Sequence, residues 1–438
     1  MDSVDEETPF VGSKSSGETT KNHWRDVHML SSAFLLVFLA YGAVQNLEST
    51  VNTDDNLGTI SLGILYVSFT IFSLLASLVV QVIGSKTALV LGTTGYWLFT
   101  AANLKPRWYT MVPASVYLGF TASIIWVGQG TYLTSTARNH AKECNLHEGT
   151  VIGNFNGEFW GIYASHQVIG NLVTLFLLRD TSEGGTSGTT VLFVVFLFTM
   201  ALGTILMSFL SKRDGKGENK PRGPSMTFSS AVVSISKSVM APLLDIRLLL
   251  IIPLFAYSGL QQAFVWAEFT KKIVQPALGE SGVGGLMAVY GAFDAICALV
   301  SGRLTSSLSS ITLIVLVGSS AQAVILFWIL LKYGTTSGVL GIVYPILMAA
   351  ALGIGDGVFN TQINALLGML FKHDTEGAFA QLKVWQSGSI AVVLFLTPYI
   401  SLHAMVIIML TALCIAVSAL LLLTLGVERA SAHPSSES

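Results

Sequence analysis

The sequence predicts an all-α polytopic membrane protein of about twelve transmembrane helices, arranged as two pseudo-symmetric six-helix halves. Three observations predict it. Of 438 residues, 52% are hydrophobic and only 11% charged, against roughly 25% charged in soluble domains. The apolar residues fall into twelve runs, most of them long enough for a hydrocarbon core of about 30 Å, which takes about 20 helical residues. The second six runs also partly repeat the first. Lipid leaves helices and closed barrels as the only spanning structures, and barrel strands would be short and alternating, so continuous runs read as helices.

In chain order the runs are 28–47, 57–82, 86–103, 108–136, 153–178, 189–211, 245–270, 281–302, 310–332, 337–360, 377–399 and 402–426. Residues 1–27 form a polar, acidic tail without the charged start and short apolar core of a cleavable signal peptide, so the first run is expected to stay as an anchor. The stretch SKRDGKGENKPRGPS after run six is basic and rich in Gly and Pro, which makes 212–244 a solvated central loop. It separates an N-terminal half, 28–211, from a C-terminal half, 245–426, followed by a tail at 427–438. With the N-terminus inside, about 16 of the 23 Lys and Arg residues fall on the cytoplasmic side and about six opposite. The positive-inside rule therefore puts both tails and the central loop in the cytoplasm of a plasma membrane or endomembrane.

The repeat is visible in two places. VYLGFTASIIWVGQGTYLT (116–134) lies ungapped over VYPILMAAALGIGDGVFNT (343–361), matching Val-Tyr, a Gly-x-Gly triplet, an aromatic and a Thr. AYGAVQN (40–46) lies over AYSGLQQ (256–262) at a similar offset. Run four thus repeats as run ten and run one as run seven. Two six-helix halves related by an axis along the membrane normal describe the major facilitator architecture, in which these four runs line a central cavity.

Polar groups inside such runs are the candidate functional residues, because lipid makes them expensive. Gln129 and Asp356 occupy equivalent places between Gly128 and Gly130 and between Gly355 and Gly357. Each can tie two helices together or face a ligand, and the same choice applies to Gln45 and Gln261. Asp356 and Lys383 sit at comparable depth toward the cytoplasmic ends of their runs and can form an ion pair, with Asp294 as a third charge in that half. In run five, Gly153, Gly157 and Gly161 recur every four residues and draw a smooth face for close helix packing. Glu158 sits beside that face. His166 lies two turns deeper and roughly 80° around, too far for a direct pair, leaving a relay through water or a packing role.

Other chemistries find little support. The net charge of -2 and scattered Lys and Arg give no nucleic-acid surface. The three cysteines, Cys144, Cys297 and Cys414, have no paired spacing, and no His, Cys or Glu set has metal-ligand spacing. GIGDG lacks the strand and the Gly-Lys-Ser/Thr of a phosphate loop, and no Ser, His, Asp arrangement sits in a soluble domain. The chain is expected to be no enzyme and to need no cofactor or metal.

One set of strings is demanded by neither composition nor amphipathicity. It comprises Asn46-Leu47 with Thr50, LGTISL (57–62), Tyr66, Gly84-Ser85-Lys86, AANLKPRWYTMVPAS (101–115), WVGQGTYLT (126–134), FNGEFW (155–160), Gln167 and Gly170-Asn171. Together they make most of residues 40–175 resemble the uncoordinated-93-like ion-channel regulatory proteins, a branch of the major facilitators. The second half matches through YSGLQQAF, the Gly-rich start of run eight and Gly302-Arg303-Leu304. The resemblance implies a facilitator fold used for regulation, with potassium-channel complexes, ion homeostasis or escort of membrane receptors as its associated roles. Facilitator transporters carry Gly-x-x-x-Asp-Arg-x-Gly-Arg-Arg between helices two and three as a latch. Here SLVVQVIGSK (77–86) keeps Gly84 and Lys86 but has Gln81 and Val82 in place of the Asp-Arg pair.

Two expectations follow. The first is a membrane protein that regulates or escorts an ion channel, a potassium channel foremost, through helix faces such as the run-five glycines. The second is a secondary transporter of a small solute or ion, with Asp294, Asp356, Lys383 and Glu158 coupling to cations or protons.

Overall fold

The computed structural model describes residues 16–51, 57–179, 186–212, 243–332 and 339–432. The tail segments 1–15 and 433–438, and the central loop from 213 to 242, lie outside the described residues. Twelve long helices occupy the described chain: α1 (Ser16–Val51), α2 (Leu57–Ile83), α3 (Ser85–Ala102), α4 (Trp108–Glu143), α5 (Glu148–Arg179) and α6 (Thr186–Ser208), then α7 (Ile246–Ala263), α8 (Gln275–Leu304), α9 (Leu308–Lys332), α10 (Val339–Leu370), α11 (Thr375–Leu396) and α12 (Leu402–Ala432). Nine of the described helical stretches are long and apolar enough to cross a membrane. The helices not among the nine, over the described residues, are α3, α5 and α6, the last assessed over Phe193–Ser208. Of these, α5 carries Asn154, Asn156, Glu158, His166 and Gln167, and it lies against other helices.

Local chemistry sets the helix ends. Gly84 alone separates α2 from α3, and its φ of 81° is one that a side chain would strain. Thr110 closes the start of α4 by accepting the Arg107 N–H at 3.1 Å. Asp245 caps α7, accepting the Arg247 N–H at 2.9 Å. Hydrogen bonds from the Arg247 side chain hold the Asp245 carboxyl below the usual carboxylate range. Asp374 caps α11 through the Gly377 N–H at 3.1 Å. Beyond Ala263, α7 continues as a wider π-helical stretch, Phe264–Val274, braced by a Lys272–Glu268 ion pair of 2.7 Å. The rod stops at Gly279, whose φ of 71° breaks the helix before the spanning part of α8.

Polarity runs inside out, as lipid requires. On α9, Leu313, Val317, Val324 and Leu331 are exposed, while Thr312, Ser319 and Gln322 are buried. Buried Thr312 then bonds Thr424 of α12 at 2.6 Å. Several helices outrun the apolar stretches that announced them: α4 runs on to Glu143, α5 starts at Glu148 and α10 ends at Leu370. The added turns carry polar residues that meet one another outside the apolar layer, so hydropathy did not mark them.

Helices α1 to α6 pack among themselves, as do α7 to α12, and two long seams join the sets: α5 along α8 and α2 along α11. The run-five glycines face the α8 seam. A Cβ on Gly157 would lie 2.8 Å from Gly302 Cα and 3.0 Å from the Ala298 carbonyl oxygen, and one on Gly153 would lie 2.6 Å from Thr305 Cβ. No real Cβ fits such gaps. On the other seam, Thr70 and Ser387 share a hydrogen bond of 2.9 Å.

Gly157→Leu should therefore force α5 from α8 and destabilise the protein by about 1–3 kcal/mol or more, the range for overpacking. Gly426→Ala, with nothing within 4 Å of its added Cβ, should be neutral. Thermal unfolding of the detergent-purified variants, followed by size-exclusion, checks both.

Candidate functional site

The polar centre of the molecule is built where α5, α7, α8 and α10 meet. Gly353 and Gly357 let α10 lie on the α8 backbone: a Cβ on Gly353 would be 3.2 Å from the Asp294 nitrogen, and one on Gly357 would be 3.0 Å from the Ala298 nitrogen. That approach carries Asp356 into α8. Its carboxylate accepts the Tyr290 hydroxyl at 2.7 Å, the Asn360 amide at 2.9 Å and the Gln262 amide at 3.4 Å. Asp294, one turn along α8 from Tyr290, has a single long hydrogen bond of 3.5 Å from Gln167 of α5. Both aspartates are buried, at 3% exposure. Gln261 is wholly buried beside them; its Nε2 reaches the Leu352 carbonyl at 3.5 Å and its Oε1 meets no donor.

Lys383 and Asp356 do not pair. No ion pair within 4.0 Å joins them among the described residues; Lys383 Nζ donates to Gln386 Oε1 at 2.9 Å and lies 4.6 Å from the centre of the Trp126 ring. Gln386 in turn donates to Ser258 of α7 at 3.0 Å. The expectation of an ion pair rested on depth; what decides it is direction around the helix. Asp356 is drawn to α8 by its flanking glycines, whereas Lys383 reaches across to α4 of the other half.

The remaining candidates scatter. Gln45 donates to the Tyr66 hydroxyl at 3.3 Å. Gln129 is fully buried with neither amide atom paired, while Gly128 abuts Ala88 and Gly130 abuts Phe379. Gly355 lies against Gln322, whose Oε1 accepts the Tyr257 hydroxyl. Glu158 approaches His28 at 3.6 Å and lines a cavity of about 220 Å³ with Trp24, Asn154, Leu299 and Arg303. His166 is elsewhere: its Nδ1 donates to the Tyr163 carbonyl at 2.6 Å and its ring packs on Phe38 and Tyr163. A carbonyl partner fixes the Nδ1–H tautomer, and packing is the role the geometry gives it.

Several participants escaped sequence reading. Tyr290 with Asp294, and Asp356 with Asn360, are four residues apart on their helices, a spacing that places each pair on one face. A second group joins the halves beyond the end of the α5–α8 seam, tying α4 and α5 to the turn between α10 and α11. Arg138 of α4 donates to the Gly368 carbonyl at 2.7 Å and to Thr375 at 3.2 Å, and lies 3.4 Å from Glu148 of α5. Glu148 also accepts Lys372 at 2.8 Å. Arg138 was legible only as a topology charge.

A buried cation without a carboxylate partner is a liability, whereas breaking a buried ion pair costs about 3–5 kcal/mol. Lys383→Met should leave the melting temperature unchanged or raise it. A fall on the scale of a broken ion pair would mean that Lys383 has a carboxylate partner after all.

Comparison with known proteins places the chain. The family model described as ion channel regulatory protein UNC-93 matches residues 49–422. UNC93-like protein 3 of Arabidopsis thaliana is 66% identical over 411 residues, covering 93% of this chain and 88% of that one. The Caenorhabditis elegans protein unc-93, whose description names potassium channel regulation, is 30% identical over 402 residues, covering 83% of this chain and 56% of its own. Among solved structures, the Escherichia coli fucose:proton symporter FucP superposes with a TM-score of 0.67 at 10% identity, over 92% of this chain and 99% of that one. At that identity the likeness shows the fold alone, which is the major facilitator fold. With its strings from LGTISL to YSGLQQAF inside the matched span, this integral membrane chain belongs to the UNC-93 family of ion channel regulatory proteins.

Proposed function

We propose that the protein is a non-enzymatic regulator or escort of an ion channel, with a potassium channel as the first candidate partner. The observation that carries this reading is the family match across residues 49–422, joined by a relative described through potassium channel regulation. Geometry supports it. Alternation between two halves needs their contacts to open, and here the α5–α8 seam is in backbone contact at Gly157 and Gly302, while Arg138, Glu148 and Lys372 clasp α4 and α5 to the α10–α11 turn. Gln81 and Val82 stand where transporters keep the Asp-Arg latch. We place both tails and the 212–244 loop in the cytoplasm, flanking halves at 28–211 and 245–426, on the charge asymmetry of the connecting segments.

A second reading, a secondary transporter of a small solute or ion, draws on Asp294, Asp356 and Lys383, three ionisable groups buried among the spanning helices. It is the weaker reading, because the charges are equally suited to sensing.

The deciding experiment is affinity purification from native membranes with potassium currents recorded in the same cells. A channel should co-purify, and co-expression should change its current or surface density; unchanged currents with every candidate channel would end this proposal. Purified protein in vesicles should show no uptake across a panel of cations and metabolites. Uptake abolished by Asp356→Asn would establish the second reading instead.

A further inference from the structure

The central acidic pair is unevenly satisfied. Asp356 receives three donors, from Tyr290, Asn360 and Gln262, which together offset the charge of a buried carboxylate. Asp294 is as deeply buried and receives one, at 3.5 Å, the outer limit of a hydrogen bond. The two carboxylates are close enough to repel each other. A carboxylate so placed stays ionised only beside a positive partner, and otherwise takes up a proton. Lys383, the buried cation in the same half, is engaged with Gln386 and Trp126.

A separate observation points to what is missing. Gln261 of α7 is 0% exposed, lies against both Tyr290 and Asp356, and its Oε1 has no donor. Its Nε2 is turned to the Leu352 carbonyl and to the Tyr290 and Asp356 oxygens, so a flipped amide would set oxygen against oxygen. The unsatisfied atoms in this place are therefore oxygens, one carboxylate and one amide. Oxygens without donors call for a cation.

The chemistry narrows the class. No set of three or more His, Cys, Asp or Glu able to hold a metal occurs among the described residues, and calcium takes six to eight oxygens, commonly several of them carboxylates. Two carboxylates, one already saturated with donors, together with neutral amide oxygens suit a weakly charged, readily dehydrated ion.

We propose that Asp294, Gln261 and the Asp356–Asn360 face form a binding site for a monovalent alkali cation. Three helices of the C-terminal half supply the oxygens, and Gln167 of α5 covers Asp294 from the N-terminal half. Filling the site thus bears on the α5–α8 seam. The inference is independent of channel regulation: the site can bind an ion whether or not any current changes.

The test is equilibrium binding of radioactive sodium and rubidium ions to purified full-length protein in detergent, with N-methylglucamine holding ionic strength constant. Melting temperatures are recorded in the same buffers. Saturable binding of one ion per chain is expected, with a melting temperature that rises with sodium or potassium but not with N-methylglucamine. Asp294→Asn should abolish both effects. Gln261→Leu, which keeps both carboxylates, should weaken binding by about tenfold or more, the scale seen when the support of a metal ligand is removed. Gln129→Leu, at the place in the other half that repeats Asp356, should bind normally. Absence of saturable alkali-ion binding, or wild-type binding in both Asp294→Asn and Gln261→Leu, would overturn the proposal. So would a melting temperature that follows pH and ignores every alkali ion, which would assign a proton to Asp294.

Discussion

Helix α5 reaches α8 only because neither bears a side chain where they meet. Gly157 and Gly302 put backbone on backbone, and the helices then run side by side for several turns, with Gly153 against Thr305 at one end and Gly291 against Gln167 at the other. The polar centre inherits its shape from that contact. Gln167 meets Asp294 because the seam brings it there, and the clasp of Arg138, Glu148 and Lys372 lies at the opposite end of α5. In lipid the hydrophobic effect does not press helices together, so packing of small residues carries much of the association. Losing two methyl-sized volumes at one crossing is thus a condition for everything polar built around it.

The halves are alike in backbone and unlike in filling. Phe34, Phe38, Tyr41, Tyr96, Trp126, Phe159, Trp160 and Tyr163 form a continuous aromatic cluster in the N-terminal half. The corresponding interior of the C-terminal half holds Gln261, Gln262, Tyr290, Asp294, Asp356 and Asn360. Gln129 and Asp356 show the divergence at one site: the amide sits unpaired, while the carboxylate has gathered three donors. One half is a stacked apolar body; the other is a polar network that can respond to charge.

How much of this was legible depends on which coordinate was asked for. Apolar runs and the repeat gave helix number, order and depth, because hydropathy and periodicity are properties of single segments. Gly153, Gly157 and Gly161 announced a smooth face, yet the sequence could not say that Gly302 lay opposite. Asp356 and Lys383 were expected to pair and do not, since rotation about each helix axis is decided by neighbours such as Gly353 and Gly357. Gln45 and Gln261 held equivalent places in the repeat, but Gln45 meets Tyr66 while Gln261 lies beside a carboxylate. The Arg138 clasp was missed because residues beyond an apolar run were read for the side of the membrane they occupy, not for each other.

Two fasteners hold the halves together, the glycine contact of the α5–α8 seam and the clasp from α4 and α5 to the α10–α11 turn. Arg138 lies thirty residues along α4 from Trp108, about 45 Å of helix, which outruns a hydrocarbon core of about 30 Å. The pairs of Glu148 with Arg138 and Lys372 are partly exposed, and counterions screen exposed charges beyond a Debye length of about 8 Å. The glycine contact, made of backbone in van der Waals touch, is indifferent to electrolyte. The clasp thus loosens or tightens with ionic strength while the glycine seam does not, and the joint between the halves carries a built-in dependence on salt.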